Sequence, residues 1–312
     1  MKRLLVLVLG LLAPSLALAQ TFPSKSVRVI VPASPGGGLD LMARTIGQPL
    51  FTLWGQAVVV DNRPGAGVMV GVDVAAKATP DGYTVLVVNA NLASNAVMQQ
   101  KVGVVNELAP VSLLATLPNA LSVPASSPAK TTAEFIMLAK SSKLTFATAG
   151  NGTLGHVFAE MLKLAIRSDM VHVPYKGGGP VMAALTGAQV NAGIVSVAST
   201  VPHMKAGRVR MLAVTSATRA SIAPDIPTFV ETVPGLVLEG WIGLLVPKAT
   251  PTPVVNSLNT AIRTVLAEMA TRQRLVEQGY EVQSSTPVEL DKRVRADLSK
   301  YAKVIREANV RD

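Results

Sequence analysis

The 312-residue chain contains no cysteine, which excludes disulfide bonds, thiolate metal sites and a cysteine nucleophile. Its only histidines are His156, His172 and His203, and no two of them have the i, i+4 spacing of a helical metal-binding pair. We therefore expect neither a metal site nor a cofactor. Aromatic residues make up only 4% of the chain, and the net charge of +10 is spread rather than concentrated in a basic stripe. We expect this charge to attract small anions, and no nucleic-acid partner is predicted.

Long apolar runs are also scarce, and the main one lies at the N-terminus. Residues 4–12 are apolar, follow Lys2 and Arg3, and precede the small residues 17–19 (ALA). This order is typical of a secretory signal peptide, and the apolar run is shorter than the roughly twenty residues of a membrane-spanning helix. Residues 1–19 are therefore predicted to be a signal peptide. The mature protein is expected to begin at Gln20 and to lie free in the periplasm.

Glycine, by contrast, is concentrated at informative places, first in residues 34–38 (SPGGG). An apolar, β-branched run precedes this segment, and residues 39–50 carry apolar side chains at helical spacing, which predicts a strand, a tight loop and a helix. Bare backbone at a helix N-terminus suits an anion. The spacing matches neither a phosphate-binding loop nor a dinucleotide-binding motif, so a small carboxylate and a simple tight turn remain the two interpretations. Asp40 is expected to hold the loop in shape.

The same strand, glycine loop and helix order recurs at residues 149–153 (AGNGT) and 175–179 (YKGGG). Repeated units of this kind predict an α/β fold with mainly parallel sheets flanked by helices, in which ligands bind beyond the carboxyl ends of the strands. His156, beside the second loop, either lines a cleft or packs the loop, and these two interpretations are equally favoured. His172 alternates within a strand and is expected to be structural.

The chain is predicted to form two lobes joined by a double crossover, with a cleft between them. A proline-rich passage begins at Pro224, and a strand is predicted over residues 236–246. We assign residues 20–120 and 218–312 to lobe 1 and residues 121–217 to lobe 2, with hinges near Ala120 and Ala217.

An ordered set of short motifs resembles one protein family, the Bug receptors, which are the periplasmic solute-binding proteins of tripartite tricarboxylate transporters. The motifs extend over almost the whole chain after the signal peptide. They are residues 31–40 (VPASPGGGLD), 61–67 (DNRPGAG), 78–84 (ATPDGYT), 149–152 (AGNG), 173–178 (VPYKGG), 224–228 (PDIPT) and 285–287 (STP).

The resemblance implies a two-lobed, Venus-flytrap binding protein that holds a carboxylate between the first two glycine loops, through main-chain amides and ordered water. It also implies delivery of the solute to a large and a small integral membrane subunit, and we expect a monomer. The residues expected to surround the ligand are Ser34, Pro35, Gly36, Gly37, Gly38, Asp40, Asn89, Asn91, Ser94, Ala149, Gly150, Asn151, Gly152, Thr153, His156, Tyr175, Lys176, Gly177 and Ser196.

Three positions depart from the family pattern, namely Ala33, Leu39 and Asn191, where the family often has an aromatic residue, a hydroxyl residue and an aspartate. The first two departures predict a roomier, more apolar pocket near the first loop. Two other functions stay open: a receptor of the same fold that serves a sensor, and a periplasmic hydrolase. The chain has no Gly-x-Ser-x-Gly nucleophile motif, so the enzyme interpretation is the least favoured.

Overall fold

The computed structural model describes residues 22–307, and the predicted signal peptide lies outside this range. The strands are β1 (Val27–Val31), β2 (Val58–Asn62), β3 (Thr84–Asn89), β4 (Leu108–Leu117), β5 (Asn119–Pro124), β6 (Thr145–Thr148), β7 (Val171–Pro174), β8 (Ala192–Ser196), β9 (Val209–Val214), β10 (Gly240–Pro247) and β11 (Glu281–Val282). The helices are α1 (Gly38–Trp54), α2 (Met69–Ala76), α3 (Asn91–Met98), α4 (Val102–Asn106), α5 (Thr132–Ser141), α6 (Leu154–Ile166), α7 (Gly178–Thr186), α8 (Val197–Lys205), α9 (Thr252–Ala267), α10 (Met269–Glu277) and α11 (Pro287–Glu307).

The strands form two separate sheets, as expected for a two-lobed α/β protein. The first sheet has the order β11-β4-β10-β3-β1-β2 and the second has the order β7-β6-β8-β5-β9. Strands β1, β2 and β3 pair in parallel, as do β6, β7 and β8. The predicted parallel units are therefore present, and the carboxyl ends of their strands carry the three glycine loops.

Each sheet also contains an antiparallel strand among strands that run mainly in one direction. Strand β10 runs antiparallel between β3 and β4, and β5 runs antiparallel between β8 and β9. Each of these strands comes from a chain segment that has just crossed from the other sheet. It therefore enters its own sheet in the reverse direction, which the local strand–helix pattern does not encode.

The sequence predicts one long extended passage over residues 108–123, but the structure divides it at Pro118. Strand β4 ends in the first sheet, and β5 begins at Asn119 in the second. Proline has no backbone N–H to donate, so it is suited to the break between two ladders. The return passage runs from β9 to β10, and Leu238 N–H donates to the carbonyl of Thr215 across it.

Helices cover the sheets, and the buried apolar side chains form several separate clusters. All eight residues of β10 are buried, as expected for a central strand covered on two sides. Trp241 in this strand is fully buried, and its indole Nε1 donates to Asp297 of α11 at 2.6 Å. Within residues 22–307, no helix has the length and apolar character that crossing a bilayer requires.

Some element boundaries differ from the sequence expectations. The strand predicted from residue 236 begins only at Gly240, because residues 232–239 lie in turns and in the return passage. The sequence pattern predicts a helix over residues 181–186, but α7 begins at Gly178, so two glycines and Pro180 form its first turn. Proline is well suited to this position, because the first N–H groups of a helix have no partner within it.

Candidate ligand-binding site

Asp40, in the first turn of α1, holds the first glycine loop in place. This carboxylate is almost fully buried, and its Oδ2 accepts the N–H of Gly36 at 2.9 Å and the Nε of Arg44 at 2.9 Å. Its Oδ1 accepts the amide of Asn62 at 3.0 Å, and the same amide also donates to the carbonyl of Ala33. The expectation that Asp40 holds this loop in shape is confirmed. Hydrogen bonding from Arg44 is the main reason that the pKa of Asp40 is lowered.

We predict that Asp40→Ala destabilises the protein by about 2 kcal/mol, because it leaves Gly36 N–H without its acceptor and removes one of the two acceptors of the Asn62 amide. The lowered pKa also fixes the pH dependence. A carboxyl whose pKa is lower in the folded state stabilises the fold above its unfolded pKa of about 4, and this contribution is lost as the pH falls further. Urea unfolding of the wild type and of Asp40→Asn from pH 3 to pH 7 measures this contribution of the carboxylate to the free energy of unfolding. A stability difference that grows towards acid would contradict the assignment.

The second glycine loop forms a compact turn at the end of β6. Thr148 Oγ1 donates to the carbonyl of Gly150 at 3.2 Å, and Thr153 Oγ1 donates to the same carbonyl at 2.8 Å. Gly150 and Gly152 have φ angles of +136° and +66°, which side chains with a Cβ rarely adopt. The N–H of Gly152 donates to Nδ1 of His156 at 3.3 Å. His156 therefore packs against the loop, as the second of its two interpretations predicts.

Helix α3 of the first sheet reaches this loop from the opposite side. Ser94 Oγ, which is fully buried, donates to the carbonyl of Gly152 at 2.6 Å, and Asn91 Oδ1 accepts the N–H of Leu154 at 3.3 Å. Asn89 Oδ1 in turn accepts the N–H of Asn91 at 3.2 Å. The structure thus brings two predicted site residues, Ser94 and Asn91, against the second glycine loop and the first residue of α6, while Asn89 contacts Asn91.

A third loop lies beside the second one. Tyr175 N–H donates to the carbonyl of Thr148 at 2.9 Å, and Gly177 N–H donates to the carbonyl of Ala149 at 3.1 Å. Lys176, between them, is exposed. Ser196 caps α8 by accepting the N–H of Ser199 at 3.3 Å. The carboxyl ends of β6, β7 and β8 therefore present their loops along one edge of the second sheet.

Two residues missed by the sequence analysis connect the first loop to the second sheet. Tyr280 Oη donates to the carbonyl of Gly38 at 2.8 Å, and the neighbouring Gly279, at φ +86°, lies directly against Ala198 of α8. A Cβ on Gly279 would overlap Ala198. Nothing in the sequence near Gly279 or Tyr280 indicates this contact, because their partners are far away along the chain.

Several loop amides that the sequence predicts as anion donors already donate within the protein. Gly36 N–H donates to Asp40, and Gly37 N–H donates to the carbonyl of Ser34 at 3.1 Å. Gly150 N–H faces Thr148 Oγ1 at 3.4 Å, a long contact. In the part of the chain that the structure describes, no side chain caps α1 or α6. At the start of α6, however, Leu154 N–H already donates to Asn91 Oδ1. The first-turn N–H groups of α1 are therefore the donors best placed to meet an anion.

The predicted site residues also differ in exposure. Asp40, Ser94, Gly152 and His156 are buried, and they contact the loops rather than the surface. The exposed and half-buried members, which a solute can reach, are Ser34, Pro35, Gly36, Gly37, Gly38, Asn89, Asn91, Ala149, Gly150, Asn151, Thr153, Tyr175, Lys176, Gly177 and Ser196. Asn191 is remote from these loops, because it lies just before the start of β8 and its Oδ1 accepts the N–H of Thr145 at 2.8 Å. Among residues 22–307, no group of His, Asp and Glu side chains is arranged to hold a metal ion.

The chain crosses twice between two sheets, each flanked by helices, and it carries glycine loops at the carboxyl ends of the parallel strands. This arrangement is a two-lobed periplasmic-binding-protein fold. The family model described as "Tripartite tricarboxylate transporter family receptor" matches residues 42–310. The chain therefore belongs to this family of solute-binding receptors, as its motifs suggested.

Similar proteins include both sequence relatives and solved structures. BugT of Bordetella pertussis is 30% identical over 309 residues, covering 97% of this chain and 94% of BugT. A solved R. palustris protein with adipate is 31% identical with a TM-score of 0.82, covering 93% of this chain and 99% of that one. MatC from Rhodopseudomonas palustris, with bound malate, is 30% identical with a TM-score of 0.77, covering 91% of this chain and all of that one.

Proposed function

We propose that this protein captures a small carboxylate solute in the periplasm and delivers it to the membrane subunits of a tripartite tricarboxylate-type transporter. The solute would lie in a cleft between lobe 1, residues 20–120 and 218–312, and lobe 2, residues 121–217. The hinges would lie near Ala120 and Ala217, where the chain passes between the sheets.

The observation that carries the proposal is the uncapped N-terminus of α1 behind three consecutive glycines. The 17-residue helix supplies the N-terminal half of its dipole to this loop, and Gly38 is exposed there. Carboxylates are stabilised at such positions by unpaired N–H groups and by the dipole together. The buried members of the site, Asp40, Ser94 and His156, would act by positioning the loops. The two solved relatives described above hold adipate and malate, which are both carboxylates.

We expect the mature protein to be stabilised by the free acid of its solute and not by the corresponding ester. A ligand at one hundred times its dissociation constant adds about 2.7 kcal/mol to the free energy of unfolding. That gain is expected to raise the melting temperature by several degrees. Thermal shift with a panel of mono- and dicarboxylic acids, including adipate and malate, identifies the solute, and calorimetry measures its affinity.

The matched controls are the methyl esters of each acid that stabilises the protein, at equal concentration. An ester gains nothing from the positive end of a helix, so it should leave the melting temperature unchanged. Equal stabilisation by acid and ester would rule out a carboxylate-binding site. Turnover of the bound acid would favour the hydrolase alternative.

A further inference from the structure

Three aromatic side chains, Phe146, His172 and His156, stack next to the second glycine loop. The ring centroids of Phe146 and His172 are 5.0 Å apart at an interplanar angle of 18°, and those of His172 and His156 are 3.9 Å apart at 16°. Phe146 and His172 are register partners on the parallel strands β6 and β7, and His156 is supplied by α6. The stack therefore joins the two strands to the helix that surround the loop.

Each histidine of the stack also contacts the loop, directly or through one residue. Nδ1 of His156 accepts the N–H of Gly152 at 3.3 Å. Nε2 of His172 lies 2.6 Å from Thr148 Oγ1, and that hydroxyl donates to the carbonyl of Gly150 at 3.2 Å. The two histidines thus hold the loop at its first and second glycines.

The hydrogen bond to Gly152 requires a neutral His156 with its proton on Nε2. Burial is the main cause that lowers the pKa of His156 to about 4 and that of His172 to about 3. The charged groups beside the stack are Glu160, whose Oε1 lies 3.9 Å from His156 Nε2, and Lys163, whose Nζ binds Glu160 at 3.0 Å. Both rings are therefore uncharged at neutral pH, which also removes charge repulsion from the 3.9 Å stack.

Gly152 is also held through its carbonyl group. Its carbonyl accepts Ser94 Oγ at 2.6 Å, and an added Cβ would lie 2.8 Å from Met98 Sδ. Ser94 and Met98 belong to α3, which packs with the first sheet. The backbone conformation of this one residue therefore determines both the shape of the loop and its contact with the opposite lobe.

From this geometry we propose that His156 and His172 are positioning residues, which orient the Gly150–Gly152 loop for ligand binding through an uncharged ring stack and the acceptor Nδ1 of His156. The ligand readout of this inference rests on the proposed carboxylate site. A direct readout on the free protein does not depend on that site.

Two substitutions at position 156 separate the acceptor from the ring. Phe in His156→Phe keeps an aromatic ring in the stack and has no acceptor for Gly152 N–H. Asn in His156→Asn places a carbonyl oxygen near the position of Nδ1 and removes the ring. If His156 only fills space in the stack, His156→Phe should disturb the loop less than His156→Asn. If His156 positions the loop through Nδ1, His156→Phe should disturb the loop more.

We expect the Gly152 amide of His156→Phe to exchange with solvent about tenfold faster than in wild type, as measured by NMR on the ligand-free protein. His156→Asn should stay within about threefold of wild type. Calorimetry with an acid that binds the wild type should show the same order, with about a tenfold weaker affinity for the Phe variant, equivalent to 1.4 kcal/mol. His172→Phe, which keeps the stack but removes the contact to Thr148, should accelerate exchange at Gly150.

The inference would be overturned if His156→Phe kept both the wild-type exchange rate at Gly152 and the wild-type affinity. It would also be overturned if the Phe and Asn variants lost amide protection and affinity to the same extent. If the exchange rates follow the expected order and no acid binds the wild type, the loop is positioned as described and the proposed function fails instead.

Discussion

Gly279→Ala is expected to weaken solute binding at least about tenfold, or 1.4 kcal/mol. The added Cβ would overlap Ala198 at the place where the loop before β11 lies against α8 of the other sheet. The two lobes would then be held apart beside Tyr280, whose hydroxyl supports the first glycine loop. Closure must be driven by contacts made only in the closed state, so a wedge at this point opposes binding directly. Calorimetry measures the affinity.

Ala198→Gly provides the matched control, because it removes the atom that the new methyl group would strike. The double variant Gly279→Ala, Ala198→Gly should recover most of the affinity. Both the single and the double variant retain the strain of a non-glycine residue at φ +86°, so a loss due to strain alone would persist in the double variant. Small-angle scattering with and without saturating acid should show incomplete closure only for the single variant. Failure of the double variant to recover would exclude the steric explanation.

Trp241→Ala is expected to destabilise the protein by about 3–5 kcal/mol. The indole is fully buried in the central strand of the first sheet, and its loss would leave a large cavity under α11. It would also remove the donor from Asp297, a carboxyl whose pKa is already raised by burial. Urea unfolding followed by circular dichroism measures the change.

Trp241→Phe separates the two contributions, because it retains most of the apolar volume and loses only the Nε1 donor. We expect a loss of about 1–3 kcal/mol for this variant, in line with a buried acceptor left unpaired. If Trp241→Ala costs no more than Trp241→Phe, the ring volume contributes little and the hydrogen bond to Asp297 carries the stability.

The parts predicted correctly from sequence were those encoded by neighbouring residues. The contacts of Asp40 with Gly36 and Arg44 join residues four positions apart, so a pattern of glycines, spacing and charge was sufficient for them, although the contact with Asn62 was not encoded locally. The sequence of residues 131–134 (TTAE) likewise has the spacing of a capping box, and Thr131 accepts the N–H of Glu134 at the start of α5. The expected parallel units β1–β3 and β6–β8 also follow from local alternation of strand and helix.

The parts that were missed depend on contacts between distant residues. Ser94 and Gly152 are 58 positions apart, and Tyr280 and Gly38 are 242 positions apart. No periodicity relates such pairs, because the contact exists only once both sheets are assembled. The antiparallel entry of β10 and β5 was missed for the same reason. The assignment of site residues from the family resemblance stays a prediction, which the variants above test.

The position of β10 has a consequence for how the chain assembles during synthesis. All five strands of the second sheet lie between residues 119 and 214, so this sheet is complete once that segment has emerged. The first sheet is completed later, because β10, which lies between β3 and β4, begins only at Gly240. Until then β3 and β4 each have an unpaired, apolar edge, which is a template for aggregation. The lobe that begins first along the chain is therefore completed last, and its nascent form is the stage at which a holding chaperone would matter most.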